Sequence, residues 1–239
     1  MIYFVADVHL GLRAGGPEER EARFVAWLKG INKPGTEALW LLGDIWDFWY
    51  EYRDVIPREG VRVIAAITAL LDSGVKVYYV PGNHDIWLYS FWQKLGVEVV
   101  RQPVRAGYGG KKFLLGHGDL LGGAKWGYRF MLKIFHSRVC QALFSTLHPW
   151  LAFRFGTDWS NSNRRSHGGY RFRGEDEPLY RFCVEETAKE PADFCIFGHF
   201  HDAVDMPLPT GARLVVLKDW IGDTAEHCAS WDGQRLLVF

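Results

Sequence analysis

Several short motifs in this chain carry side chains that can bind metal ions, and each follows a run of apolar residues. Asp44 shows the pattern clearly, because the apolar residues 38–42 are stopped by Gly43 and a carboxylate comes next. Taken singly, each motif has an ordinary alternative, since a loop aspartate can cap a turn and a buried histidine is commonly a core residue. The side chains concerned are Asp7, His9, Asp44, Asn83, His117, His199 and His201.

The chemistry becomes specific when the motifs are considered together. The carboxyl ends of strands in an α/β fold converge on one crevice, which would bring these carboxylates, imidazoles and one amide together. Burying so many ionisable groups without a counter-charge carries a severe desolvation cost. Metal ions remove that cost, so the joint pattern favours a metal site over a set of unrelated turns.

The elements that position these motifs are predicted from hydrophobic periodicity and from turn residues. Strands alternate with helices, which predicts an α/β (α+β) fold of one domain with an insertion. Strands are expected at residues 2–6, 39–42, 75–80, 97–100, 113–115, 194–197, 213–217 and 235–239. Helices are expected at residues 18–28, 61–71 and 177–189.

Composition excludes some classes of protein and leaves others open. Lys+Arg and Asp+Glu both number 28, so no overall charge indicates a nucleic-acid-binding protein. The N-terminal residues enter a strand directly, so we expect no signal peptide, and no apolar stretch of about 18 residues predicts a membrane span. Four cysteines without CxxC spacing suit reduced core thiols of a cytoplasmic protein, and they are Cys140, Cys183, Cys195 and Cys228.

Basic charge is concentrated in one segment, residues 120–173. It holds nine Lys/Arg and one acid, Asp158, and its apolar residues between 131 and 147 follow a helical pattern. We therefore expect residues 1–119 and 174–239 to form a core, with 120–173 a basic, aromatic-rich helical lid. Packing on the core is the alternative for part of the apolar stripe. The surplus of cations and aromatics favours an anionic ligand with an apolar part, or a membrane surface.

The motifs DVH, GDIWD, GNHD, GHG and GHFH, in that order, resemble the calcineurin-like metallophosphoesterase superfamily over nearly the whole chain. The resemblance implies a four-layer αββα sandwich of two mixed sheets with a two-metal site at the strand ends. It implies one metal held by Asp7, His9, Asp44 and His201, and a second held by Asp44, Asn83, His117 and His199. Such a ligand set suits two divalent ions, manganese first, with iron or zinc as alternatives.

The same resemblance assigns catalytic roles near the third motif. His84 would stabilise or protonate the leaving group or a phosphoryl oxygen, with Asp85 holding its ring. Two metals would activate a shared water for in-line attack on phosphorus. Aromatic residues after Asp44, Trp46 among them, are expected to form a wall of the substrate cleft.

Within the superfamily the chain is most similar to the UDP-2,3-diacylglucosamine pyrophosphohydrolases of the lipid A pathway. Its length, the insertion after GHGD, Gly127-Tyr128 and the segment 217–220 carry this likeness. It implies an acylated sugar-nucleotide substrate, a location peripheral to the inner membrane, and contacts from Tyr128, Arg164 and Arg165. Two positions depart from that family's pattern: His84 replaces an arginine and Lys125 an acid. Another sugar nucleotide or phosphoester, or a non-catalytic module of the same fold, is the alternative.

Overall fold

The computed structural model describes residues 1–123, 126–167, 171–222 and 227–239, without the side chains of residues 161–167. Its first sheet has the strand order β11-β10-β1-β2-β3-β4. Strands β1 to β4 run parallel, and β10 pairs antiparallel with both β1 and β11. The strands are β1 (Ile2–Val5), β2 (Ala38–Leu41), β3 (Lys76–Tyr79), β4 (Glu98–Val99), β10 (Cys228–Trp231) and β11 (Leu236–Val238).

The second sheet has the order β5-β6-β7-β9-β8. Strands β6, β7 and β9 are parallel, while β5 and β8 close the two edges as antiparallel partners. The strands are β5 (Val104–Tyr108), β6 (Lys111–Leu115), β7 (Phe194–Phe197), β8 (Val204–Pro207) and β9 (Arg213–Val216). Both sheets are mixed, as the sequence predicts.

The helices either pack on the sheets or belong to the predicted lid segment. They are α1 (Pro17–Ile31), α2 (Val61–Asp72), α3 (Phe91–Leu95), α4 (Trp126–Phe135), α5 (Arg138–Ser145), α6 (Pro149–His167) and α7 (Pro178–Lys189). The α/β sandwich expected from the sequence is therefore confirmed. Within the described residues, no helix is both long and apolar enough to cross a membrane.

Successive side chains of a strand point to its two faces in turn, and this alternation produces the hydrophobic layers of the fold. In β1, Phe4 faces the second sheet and stacks on Phe113 with ring centroids 5.6 Å apart. Its neighbours Tyr3 and Val5 face the opposite way and pack with α1 and α2. Because successive side chains point to opposite faces of a strand, one apolar run supplies two hydrophobic layers. A third layer lies between the second sheet and α7, where Cys183 and Cys195 are buried as free thiols.

The predicted lid segment contains three separate helices, α4, α5 and α6. The apolar stripe does not form one continuous helix, because Ser137 interrupts it as the N-cap of α5 and accepts a hydrogen bond from the Cys140 N–H. Several hydrogen bonds connect these helices to the core. Tyr50 Oη donates to the Gln141 carbonyl at 2.9 Å, and Trp87 Nε1 donates to the Phe135 carbonyl at 3.0 Å.

The predicted position of Trp46 on a cleft wall is wrong. Its side chain is fully buried and packs against Trp49 and Trp92, with ring centroids 4.8 and 5.2 Å away. Its indole N–H donates to the Glu59 carbonyl at 2.9 Å, which satisfies the one polar atom of the ring. The physical reason is the apolar layer under α2, which Trp46 fills from the loop after β2.

Replacing Trp46 with alanine is expected to destabilise the fold by about 3–5 kcal/mol, because it leaves a large cavity in the core. Denaturant unfolding followed by circular dichroism measures this loss. The matched control is Trp126→Ala, whose ring is 80% exposed, and it should change stability by no more than about 0.5 kcal/mol. Equal stability of the two variants would contradict the core assignment of Trp46.

Candidate dinuclear metal site

The loops that follow β1, β2, β3, β6 and β7 bring the seven predicted ligands together. Five of these residues have positive φ angles, which non-glycine residues rarely adopt. Such strain persists where the surroundings impose it, and it concentrates at functional sites. The residues and angles are Asp7 (52°), His9 (51°), Asp44 (52°), His199 (74°) and His201 (55°).

The first cluster joins Asp7, His9 and His201. Nε2 of His9 lies 3.6 Å from Oδ1 of Asp7, and Nε2 of His201 lies 3.7 Å from the same oxygen. Asp7 and His9 are fully buried, and the rings of His9 and His201 stack with centroids 5.0 Å apart. Three donor atoms therefore surround one point at a spacing that suits a metal ion.

The second cluster joins Asp44, His117 and His199, with Asn83 beside them. Nε2 of His117 lies 3.3 Å from Oδ2 of Asp44 and 3.2 Å from Oδ1 of Asn83. The same Asp44 oxygen lies 4.0 Å from Nε2 of His9 in the first cluster. Asp44 therefore stands between the clusters, in the position of a shared ligand.

Charge in the second cluster is divided between a carboxylate and one imidazole. Burial raises the pKa of Asp44, but His117, His84 and His9 outweigh burial and hold that pKa well below its usual value. Burial lowers the pKa of His117, yet Asp44 holds it well above normal. Burial and the neighbouring His117 lower the pKa of His199 to about 4. The cluster is therefore strongly coupled, and a cation placed there would replace protons.

Glycines allow the loops to approach this closely. A Cβ on Gly82 would collide with the carboxylate of Asp44, and one on Gly198 would collide with that of Asp7. The two glycines let neighbouring strand ends meet around the ligands.

The donor set fits divalent cations. Oδ1 of Asp7 is buried and has no hydrogen-bond partner among the described residues, an arrangement that is costly unless a cation is bound. Carboxylate, imidazole and amide donors in one buried space match the ligands of first-row transition metals. Asp7, His9, Asp44 and His201 would hold one ion, and Asp44, Asn83, His117 and His199 the other.

The expected contact between Asp85 and the ring of His84 is wrong. The Asp85 carboxylate accepts hydrogen bonds from backbone N–H groups and from Tyr79 Oη, and burial next to Asp44 raises its pKa to about 6. Nδ1 of His84 instead lies 2.9 Å from the Asp47 carbonyl. Asp85 shapes the loop because the N–H groups it binds belong to Asp44, Ile45, Trp46 and Gly82.

An apolar chamber opens beside the ligands, and the sequence predicted only some of the residues that line it. Asn83, His84 and Asp47 line it at one end. Tyr128, which the sequence predicts to contact the substrate, lines it too, and its hydroxyl lies 3.3 Å from Asp119 Oδ2. Most of the wall comes from the three lid helices and two core loops, through Phe48, Tyr50, Trp87, Met131, Ile134, Phe135, Phe144, Phe155 and Trp159.

Some predicted residues fall outside the described part of the chain. Lys125 lies outside it, and so do the side chains of Arg164 and Arg165, although their backbone belongs to α6.

Two carboxylates behind the ligands were not assigned from sequence. Asp47 belongs to the GDIWD motif and Asp219 follows β9, so position after a strand was their only signal.

Comparisons with known proteins show which family the chain belongs to. The family model for the calcineurin-like phosphoesterases matches residues 1–203. A UDP-2,3-diacylglucosamine hydrolase from Porphyromonas gingivalis is 35% identical over 99% of this chain and 96% of its own length. One of the same name from Yersinia pestis is 26% identical over 99% and 98%. A solved dimetal phosphatase from Danio rerio has a TM-score of 0.47 at 14% identity, covering 95% of this chain and 90% of its own. The chain belongs to the calcineurin-like phosphoesterase family of metal-dependent hydrolases.

Proposed function

We propose that this enzyme hydrolyses the pyrophosphate of UDP-2,3-diacylglucosamine to UMP and 2,3-diacylglucosamine 1-phosphate. The observation that carries the proposal is the apolar chamber, which shares Asn83 and His84 with the candidate metal site. A substrate with a phosphate group next to acyl chains fits such a pairing of polar and apolar walls. The relatives named for this hydrolysis support it, because they match 99% of the chain.

The chamber has the apolar lining expected of an acyl-chain site. Its volume is about 200 Å³, and it continues away from His84 between the core and the lid helices. Phe144 lies near its centre, with ring centroids 4.9 Å from Tyr50 and 6.1 Å from Trp87. Phe48 packs directly on Gly156 of α6, where any larger residue would collide with its ring. Burying each apolar side chain or acyl segment here would contribute about 25 cal/mol per Å².

Two divalent ions, manganese in our proposal, would lower the pKa of a shared water and neutralise charge on the phosphoryl oxygens. Residues of the chain position His84 for this reaction. His84 Nδ1–H donates to the Asp47 carbonyl, which turns Nε2 toward Asp44 Oδ2, 4.0 Å away, and toward the chamber. A protonated His84 can then donate its second N–H to a phosphoryl oxygen or to the departing group.

Three further residues are proposed to contact the substrate because of where they lie relative to the chamber. Tyr128 lines the chamber close to the ligands, where its hydroxyl can reach a phosphate or sugar oxygen. Arg164 and Arg165 follow Ser160, another lining residue, by about one helical turn in α6. A guanidinium fork matches phosphate oxygens, so these arginines are proposed to bind the pyrophosphate.

The lid helices are also proposed to rest on a membrane surface. They expose large apolar side chains, among them Trp126 (80%), Val139 (69%) and Trp150 (60%). Arg129, Lys133, Arg138 and Arg154 are exposed on the same helices. Aromatic and basic side chains on one surface suit the interface of an anionic bilayer, from which an acylated substrate would be drawn.

His84→Ala is expected to lower kcat for UDP-2,3-diacylglucosamine by about 10²- to 10⁴-fold, the usual contribution of a general acid. Metal content should stay at two ions per chain, measured by elemental analysis of the purified variant. The control is His148→Ala, an exposed histidine outside the chamber, which should keep full turnover. Unchanged kcat in His84→Ala would refute the role given to this residue.

Phe144→Ala is expected to lower kcat/KM for the diacylated substrate by about 10- to 100-fold, since a buried Phe contributes about 1.5–3 kcal/mol. Steady-state assays should compare this substrate with unacylated UDP-N-acetylglucosamine. Phe130→Ala, in the same insertion but outside the chamber, is the matched control. Wild-type enzyme that cleaves both substrates equally well would favour another phosphoester substrate.

The double variant Trp126→Ala/Trp150→Ala is expected to bind anionic vesicles at least about tenfold more weakly, because two large apolar contacts are lost. Sedimentation with phosphatidylglycerol-containing vesicles measures the binding. Leu237→Ala/Phe239→Ala removes exposed apolar groups from β11 and the residue after it, and it should bind as the wild type does. Equal binding by all three proteins would show that the lid does not carry the contact.

A further inference from the structure

The two metal clusters differ in what lies behind their histidines. Nδ1–H of His201 donates to Oδ2 of Asp219 at 2.7 Å, and Nδ1 of His9 lies 3.2 Å from Oδ1 of Asp47. Both of these histidines belong to the first cluster. In the second cluster, Nδ1–H of His117 donates to the backbone carbonyl of Leu42 at 2.9 Å. The first cluster therefore has anionic support, whereas His117 has a neutral partner.

Asp219 is itself held in place. Its second carboxylate oxygen accepts the Ile221 N–H at 2.9 Å. The next residue, Trp220, donates its backbone N–H to the Asp7 carbonyl at 3.1 Å, while Arg23 donates to the Trp220 carbonyl at 2.8 Å. The loop after β9 is thus bonded both to helix α1 and to the ligand loop after β1, which leaves the Asp219 carboxylate aimed at His201.

A carboxylate behind a ligating histidine changes metal binding in two ways. It fixes the ring with the proton on the far nitrogen, which leaves the near nitrogen free for the metal, and it increases electron donation by the ring. It also adds negative charge close to the cation. A backbone carbonyl gives the same orientation without a net charge. Partners of this carboxylate type commonly change metal affinity by about 10- to 100-fold.

We infer that the site formed by Asp7, His9 and His201 is the tighter of the two metal sites, and that Asp219 is the positioning residue that makes it so. This inference rests on the two ions of the proposed function and on the ligands given above for the candidate dinuclear metal site. It goes further in ranking the two sites and in giving Asp219 a role. The Asp47 carboxylate lies behind His9 in the same way, but it also lies 3.9 Å from Nδ1 of His84, so Asp219 gives the cleaner test.

The test is a titration of metal-stripped protein with Mn²⁺ alone, followed by isothermal calorimetry and by the electron paramagnetic resonance signal of free Mn²⁺. Wild-type protein should bind two ions in two separable steps. In Asp219→Asn the tighter step should weaken by about 10- to 100-fold, with the weaker step unchanged. Asp219→Glu should recover part of the loss, because it restores the charge.

The control variant is Asp205→Asn, which removes an exposed carboxylate paired with Arg213 on β9 and should bind both ions normally. The melting temperature of each metal-free variant separates a loss of folding from a loss of positioning. The inference is overturned if Asp219→Asn binds as the wild type does, or if it weakens only the second step or both steps equally. No substrate enters the titration, so its result stands whether or not UDP-2,3-diacylglucosamine is cleaved.

Discussion

The carboxylate of Asp44 is the group around which the ligand loops are arranged. It is 1% exposed and lies within 4.0 Å of imidazole nitrogens from His9, His84 and His117, which come from three different loops. Burying such a charge is costly unless cations and hydrogen bonds surround it. Asp85 helps to hold this carboxylate in place. It accepts hydrogen bonds from the backbone N–H groups of residues 44–46, and this fixes the Asp44 oxygen between the two clusters.

The sequence predicted that these carboxylates, imidazoles and one amide would come together, because each follows an apolar strand and strand ends converge. Two other expectations were wrong, although the neighbours of these residues in the chain do face the site: Trp46 was placed from the aromatic content after Asp44, and Asp85 from the family resemblance. Which way a loop residue points depends on backbone angles such as the positive φ of Asp44, and these are set by tertiary contacts. Phe48, two residues after Trp46, reaches the chamber that Trp46 was expected to line.

Secondary structure was missed where strands are short or weakly apolar. β5 contains arginine and glycine, β8 contains aspartate and proline, and both lie at sheet edges where one partner suffices. β10 is buried but short, and its residues Cys-Ala-Ser-Trp show no clear alternation. Helical structure in the predicted lid segment was expected from its apolar stripe, but the break at Ser137 was not, because a serine cap looks like any polar residue within a helical pattern.

Tyr50 and Trp87 are core residues whose polar atoms reach carbonyls at Gln141 and Phe135, one in α5 and the other at the end of α4. These bonds join the lid helices to the core at two residues, Tyr50 and Trp87, that belong to different core loops. Moving the lid helices away from the core would break these bonds. Release of an acylated product that requires this movement would therefore be slower than release from an open groove, and it could limit turnover.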